Sequence, residues 1–201
     1  MKHFFSNLSK AIFLLIALSI TFIKCSDDTS EKKIDPAFAG YISAFTSGIV
    51  SNQTTIKIRL AEIYLDAKPN ELVKEDLFDF SPNIEGDAYW IDEQTIEFRP
   101  KEKLPSGKLF EGKFYLSKLL KVADKLETLV FQFQVMKQNI EISFEGMESH
   151  STSDLKLQMI HASALTYDYA EPEDVENSIS ASQNGKELNI VWEHGSAGKN
   201  T

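Results

Sequence analysis

One cysteine, Cys25, is all that 201 residues contain. That scarcity excludes an internal disulfide framework and any multi-cysteine metal cage. After Cys25 no apolar run approaches the ~20 residues that a membrane helix needs. Histidine is almost as rare: His3, His150, His161 and His194, with no pair at the His-Glu-x-x-His spacing of a helical zinc site. Neither a Gly-x-Ser-x-Gly elbow nor a glycine-rich phosphate loop occurs, and no Asp-x-Asp-x-Asp-Gly loop points to calcium. Basic residues are outnumbered throughout. Three of the 21 lie before Cys25, where there is no acid, so the rest of the chain sets 18 bases against 30 acids, a net of −12. That sign disfavours phosphate backbones and anionic headgroups, and no nucleic-acid partner is expected. What is present in quantity is apolar side chain, 42% of the total, enough to bury a core of ordinary size.

The first 24 residues read as a secretory leader. Met1 to Lys10 is basic and Ala11 to Ile23 apolar, too short to span a bilayer comfortably. Lipidation accounts for a lone thiol at this point. The expectation is cleavage before Cys25 and a diacylglyceryl thioether on that residue, which makes a membrane the first partner. Phe22 and Lys24 depart from the small and aliphatic residues usual before such a cysteine. Ser26-Asp27-Asp28 resembles the acidic signal that sends Bacteroidetes lipoproteins to the cell surface. The expected location is therefore the outer membrane or cell surface, with its periplasmic face as the alternative. Residues 25–38 are polar, lack periodicity and read as a flexible tether.

From Tyr41 the pattern alternates with period two. Ile56, Ile58 and Leu60 share one face of Thr55–Ala61, with Lys57 and Arg59 on the other. Ile96 and Phe98, then Lys113–Ser117, then Val130–Val135 repeat it. Turn residues separate these runs at Ser51-Asn52, Lys68-Pro69-Asn70, Ser81-Pro82-Asn83, Glu85-Gly86-Asp87 and Leu104-Pro105-Ser106-Gly107. One-sided strands at short spacing need a second sheet to cover them. The fold class expected for residues 39–136 is all-β, an immunoglobulin-like antiparallel β-sandwich. Lys118 to Leu126 reads as a short helix or an irregular crossing.

Residues 137–201 read as an incomplete second β-rich module. Asn139–Gly146 and Asp154–His161 alternate, and Ala164–Ala170 continues the pattern. Glu171 to Ser180 carries a proline and acids at its start, as a helix N-terminus does. Asn184-Gly185 marks a hairpin turn, with a strand expected from Lys186 to Trp192. The last seven residues have turn composition where a partner strand is due, so a truncated frame or a fragment of a longer protein is expected.

Trp90 to Lys108 carries a more specific pattern: a strand ending in Arg99-Pro100, a polar turn to Leu104-Pro105, and Gly107 opening the next strand. With Tyr41–Ser51, Ile56–Arg59 and Phe78–Pro82, it resembles the first macroglobulin domain of bacterial α2-macroglobulin lipoproteins. The resemblance covers roughly Tyr41 to Met136, and residues 137–201 are similar to part of the second macroglobulin domain. It implies a non-catalytic, membrane-tethered scaffold segment of a protease trap, whose partners are the following macroglobulin domains and, through the complete protein, proteases. The Cys-x-Glu-Gln thioester of that family is absent, so the resemblance gives Cys25 the role of tether and not of trap.

Catalytic, metal-binding and cofactor-binding residues are not expected. His161 closes a strand and His194 flanks a turn, places where surface or packing roles are usual. Glu171, Glu173 and Asp174 read as a solvated helix cap in preference to a calcium or acid–base site. Tyr89 and Trp90 could form a sugar platform, but neighbours on an alternating strand more often divide between core and face. Asn52-Gln53-Thr54 matches a glycosylation acceptor in form only. The competing expectation for the whole chain is an independent immunoglobulin-like adhesin or glycan-binding lipoprotein.

Overall fold

The chain divides into two units, residues 1–31 and 32–201. The computed structural model describes residues 33–150, 153 and 156–195, all within the second unit. The leader, Cys25 and the first part of the tether lie outside the described residues.

Eight strands build the larger body: β1 (Ile42–Phe45), β2 (Gly48–Val50), β3 (Ile56–Leu60), β4 (Phe78–Ser81), β5 (Gly86–Trp90), β6 (Thr95–Pro100), β7 (Leu109–Tyr115) and β8 (Thr128–Val135). They form two four-stranded sheets, ordered β1-β3-β6-β5 and β2-β8-β7-β4. The fold is an all-β immunoglobulin-like sandwich, in which the first strand divides between the two sheets. β1 pairs antiparallel with β3, and Gly48, at φ +75°, lets the chain cross to the other sheet. There β2 runs parallel to β8, Gly48 opposite Phe133 and Val50 opposite Val135. The ladder is thus antiparallel everywhere in the sandwich except at this edge, an exception to the wholly antiparallel expectation.

The alternation seen in sequence becomes burial. Ile56, Ile58 and Leu60 point inward while Lys57 and Arg59 face solvent. From the other sheet, Phe110 and Phe114 of β7 and Leu129, Phe131, Phe133 and Val135 of β8 meet them. Aromatic rings hold the layers together: Phe80 lies 4.8 Å and Phe78 5.5 Å from Phe98 of the facing sheet. Each such side chain contributes about 1.5–3 kcal/mol through burial. Gly112 is needed because a Cβ there would stand 2.5 Å from the Phe131 ring. Gly107 takes φ +70° in the turn before β7, as the Leu104-Pro105-Ser106-Gly107 pattern anticipates.

One boundary moves. The tether expected to reach residue 38 ends sooner, because Pro36–Gly40 is a 3-10 turn whose Phe38 belongs to the core, with Ile34 packed against it. Asp35 caps that turn, its carboxylate accepting from the Ala37 N–H at 2.9 Å. A single buried aromatic between two alanines leaves no periodicity to read. The crossing between β7 and β8 is irregular, with 3-10 turns at Leu116–Lys118 and Asp124–Leu126 that bury Leu116 and Leu126.

Beyond the sandwich come β9 (Ile140–Ser149) and β10 (Gln158–Thr166), paired antiparallel, then α1 (Pro172–Ser178) and a small hairpin of β11 (Ser182–Gln183) and β12 (Lys186–Glu187). β10 runs on from the first of the two alternating stretches into the second, as far as Thr166. The hairpin turns on Asn184 and Gly185, both at positive φ, as expected. The strand expected from Lys186 to Trp192 stops at Glu187. Its alternation meets no partner edge, and period two without pairing does not make a strand. None of these elements contains a buried residue.

The chain enters and leaves the sandwich at opposite ends. Ile42 opposite Leu60 places the entry beside the end of β3. The exit at Met136 bonds Val50 at the other end, where Gly107 and Leu104 also gather through bonds to Met136 and Asn52.

Candidate functional site

A cluster of polar side chains gathers where the second module meets the exit end. Asp168, just past β10, is the centre. Its carboxylate accepts from the Ser51 hydroxyl at 2.6 Å, the Asn52 N–H at 2.7 Å and the Tyr169 N–H at 2.8 Å. The Asn52 side-chain amide donates to the Tyr169 carbonyl at 2.9 Å. Its Oδ1 is buried without a partner. Gln138, in the linker, bonds Asp168 twice: its Nε2 donates to the Asp168 carbonyl at 2.8 Å, and its Oε1 accepts from the Asp168 N–H at 2.9 Å. The Ser106 hydroxyl accepts from the Gln138 N–H at 2.7 Å, so the turn before β7 joins the network. Residues more than a hundred positions apart are thereby locked across one junction.

A second, more exposed layer flanks this clasp. Lys103 lies over the Tyr169 ring at 4.3 Å and is ion-paired with Glu171, which also accepts from the Tyr169 hydroxyl at 2.9 Å. The electrostatics follow the contacts. Partial burial pushes the Asp168 carboxyl up, but hydrogen bonds from Ser51, Asn52 and Tyr169 outweigh it and hold the group below the ordinary carboxylate range. The hydrogen bond from Lys103 lowers Glu171, and the same bond raises Lys103. Among the described residues the arrangement has no bound-substrate cavity and no nucleophile–base pair; what it can do is fasten two bodies together.

The residues singled out in sequence are dispersed. Trp90 is buried and stacks on Tyr64 at 5.2 Å, so it cannot serve a sugar platform, while Tyr89 sits on the outer face under the Arg99 guanidinium at 4.6 Å. His161 pairs with Glu148 at 3.1 Å and His194 with Glu176 at 2.6 Å, both at the surface, while His150 is exposed. Glu171 belongs to the clasp, whereas Glu173 and Asp174 occupy the first turn of α1. Asn52, noted in sequence only for its turn and its formal acceptor pattern, is a clasp residue. His3 and Cys25 lie outside the described residues. Among the described residues no three metal-ligating side chains gather, and no helix is long and apolar enough to cross a membrane. Sequence reasoning missed Asp168, Gln138 and Lys103 as partners. Tyr167-Asp-Tyr169 carries no signal of its own, because its partners are distant in the chain.

The buried charge of the sandwich is Glu97, on the outer face of β6. Burial pushes its carboxyl up, but hydrogen bonds from Thr55 at 2.7 Å, Arg99 at 2.7 Å and Lys57 at 3.2 Å prevail, and the net direction is downward. It is a cross-strand pin and touches no cavity.

No protein-family model matches the chain, and no curated protein matches it in sequence. Among solved structures, L,D-transpeptidase 3 from Mycobacterium tuberculosis, in complex with a faropenem-derived adduct, aligns at TM-score 0.34 and 11% identity. The alignment covers 53% of this chain and 41% of the enzyme, so the chain spans about two fifths of that protein's length. A likeness at that level carries neither fold nor chemistry across.

Proposed function

We propose that the chain is a non-catalytic, membrane-tethered scaffold segment of an α2-macroglobulin-like protease-trapping lipoprotein, comprising a first macroglobulin domain and part of a second. The immunoglobulin-like sandwich is the fold that this family resemblance implies. The observation that carries the reading is the layout of the ends. The chain enters the sandwich at one end, and the clasp around Asp168 fixes the second module at the other. A strut of that kind holds the downstream domains at a set distance and angle from a membrane.

In this reading Cys25 supplies the anchor, the outer membrane or cell surface is the location, and the active machinery is not among these residues. Replacing Cys25 with serine in cells fed a radiolabelled fatty acid tests the anchor. The expected result is loss of label and release of the protein from the membrane fraction. Label and membrane retention that survive Cys25→Ser contradict it. The scaffold half is tested by challenging the producing cells with protease and following the polypeptide that carries the sandwich: covalent or sequestered protease complexes are expected, and their absence counts against the reading.

A further inference from the structure

The turn that follows β3 carries aliphatic side chains where turns are usually polar. Tyr64 to Ala67 closes as a β-turn, the Ala67 N–H donating to the Tyr64 carbonyl at 3.0 Å. Leu65 holds the first corner, a place that favours proline or a small polar residue, and is 93% exposed. Ile63 beside it is 57% exposed. The turn is firmly mounted. The Tyr64 N–H donates to the Glu93 carbonyl at 2.8 Å, and the Tyr64 ring stacks on buried Trp90 at 5.2 Å. It stands at the end where the chain enters, since the Ala61 N–H donates to the Tyr41 carbonyl at 2.8 Å. Leu72, also exposed, lies farther along the same connection beside Tyr89, whereas exposed Ile49 and Leu109 lie opposite Gln134 near the exit.

We propose that Ile63 and Leu65 dip into the surface of the membrane that holds the tether, seating the entry end on a bilayer of zwitterionic headgroups. This deepens the scaffold reading and rests on its tether.

Chain length selects the bilayer as occupant. From Cys25 to Lys33 there are eight residues, at most about 28 Å fully drawn out and about 16 Å on average. Little slack follows, because Ile34 packs on the core, Asp35 pairs with Lys125 at 3.5 Å and Phe38 is buried. Eight residues of β8 set the exit end about 25 Å away. A tether shorter on average than the sandwich brings the entry end to the bilayer in preference to the exit end. Held that close, the turn needs little affinity of its own, because insertion becomes an intramolecular step. Charge selects the headgroup. Glu62 and Asp66 flank the two aliphatic residues, and Glu93 lies in the turn that Tyr64 bonds. Carboxylates at headgroup depth are attracted by the ammonium of phosphatidylcholine and repelled by a surface of phosphatidylglycerol.

The full chain in its lipid-bearing form is placed on phosphatidylcholine vesicles, with and without brominated acyl chains. An environment-sensitive thiol dye is attached at Leu65→Cys or, near the exit, at the exposed Lys108→Cys. The dye at position 65 should shift to shorter wavelength and be quenched by the brominated chains, while the dye at position 108 is not. Replacing phosphatidylcholine with phosphatidylglycerol should weaken that quenching. Because the dye is itself apolar, a second pair carries it at Glu62→Cys, with Ile63 and Leu65 intact or both changed to serine. Quenching is expected in the first and lost in the second. Vesicle-bound protein whose dye stays unquenched at positions 62 and 65 overturns the docking and leaves the tether standing. Quenching at position 62 that survives the two serine changes also overturns it. Protein that does not float with the vesicles overturns docking and tether together.

Discussion

Replacing Asp168 with alanine separates the two things this structure does, folding a sandwich and fastening a module to it. The carboxylate accepts three hydrogen bonds, from Ser51, Asn52 and Tyr169, all between 2.6 and 2.8 Å. At about 1 kcal/mol net for each in a half-exposed setting, their loss costs about 3 kcal/mol of docking free energy. That corresponds to a factor of about 150 in the open population of the junction. None of the three donors lies inside a sandwich strand, so the cost should fall on the junction and spare the core. Native-state hydrogen exchange reads this directly. The amides of Asn52, Asp168 and Tyr169 should exchange about two orders of magnitude faster in Asp168→Ala, while those of Ile58, Phe98 and Phe131 keep their rates. Asp168→Asn, which retains one acceptor oxygen, should show roughly half the free-energy loss. Unchanged exchange at Asn52 would refute the clasp, and equal acceleration throughout the sandwich would show that Asp168 supports the core instead.

Four further outcomes are expected. The folded state holds Asp168 below its ordinary range, so its share of docking is fully present above the ordinary carboxylate range and is lost as pH falls through the lowered value; limited proteolysis of the 137–139 linker between pH 6 and pH 3 should accelerate at the acid end in wild type and less so in Asp168→Ala. Phe114→Ala, at a fully buried position between the sheets, should cost about 3–5 kcal/mol in denaturant unfolding. Gly112→Ala places a methyl 2.5 Å from the Phe131 ring and should cost about 1–3 kcal/mol in the same assay. Thr55→Val removes a hydrogen bond to the nearly buried Glu97 and should cost about 1–2 kcal/mol, since the carboxylate then keeps only its Arg99 and Lys57 partners.

The sandwich was legible because its central strands announce themselves. Ile56, Ile58 and Leu60, and again Leu129 to Val135, alternate because each strand has one wet face and one dry one. The turn residues between them narrow the class further, and Gly107 adopts the positive φ that its surroundings require. What escaped had no local signature. Phe38 is one aromatic on a 3-10 turn, and β2 is three residues long, its parallel partner more than eighty positions away. The extension of β12 to Trp192 was over-read because alternation measures amphipathicity, whereas a strand also needs an edge to pair with. The clasp was the least legible of all. Ser51 and Asn52 look like turn residues, Gln138 like linker and Asp168 like surface, and only the closure of the sheets brings them together. Its hydrogen bonds span over a hundred residues, beyond the reach of any periodicity.

The proposed function has this chain holding protease-trapping machinery at a membrane. Blotting the producing cells with an antibody against residues 39–136, before and after exposure to an active protease, tests it. The expected antigen lies in the membrane fraction and moves to a higher-mass, protease-containing species on exposure. An antigen that stays at the same mass, free of protease, would contradict it.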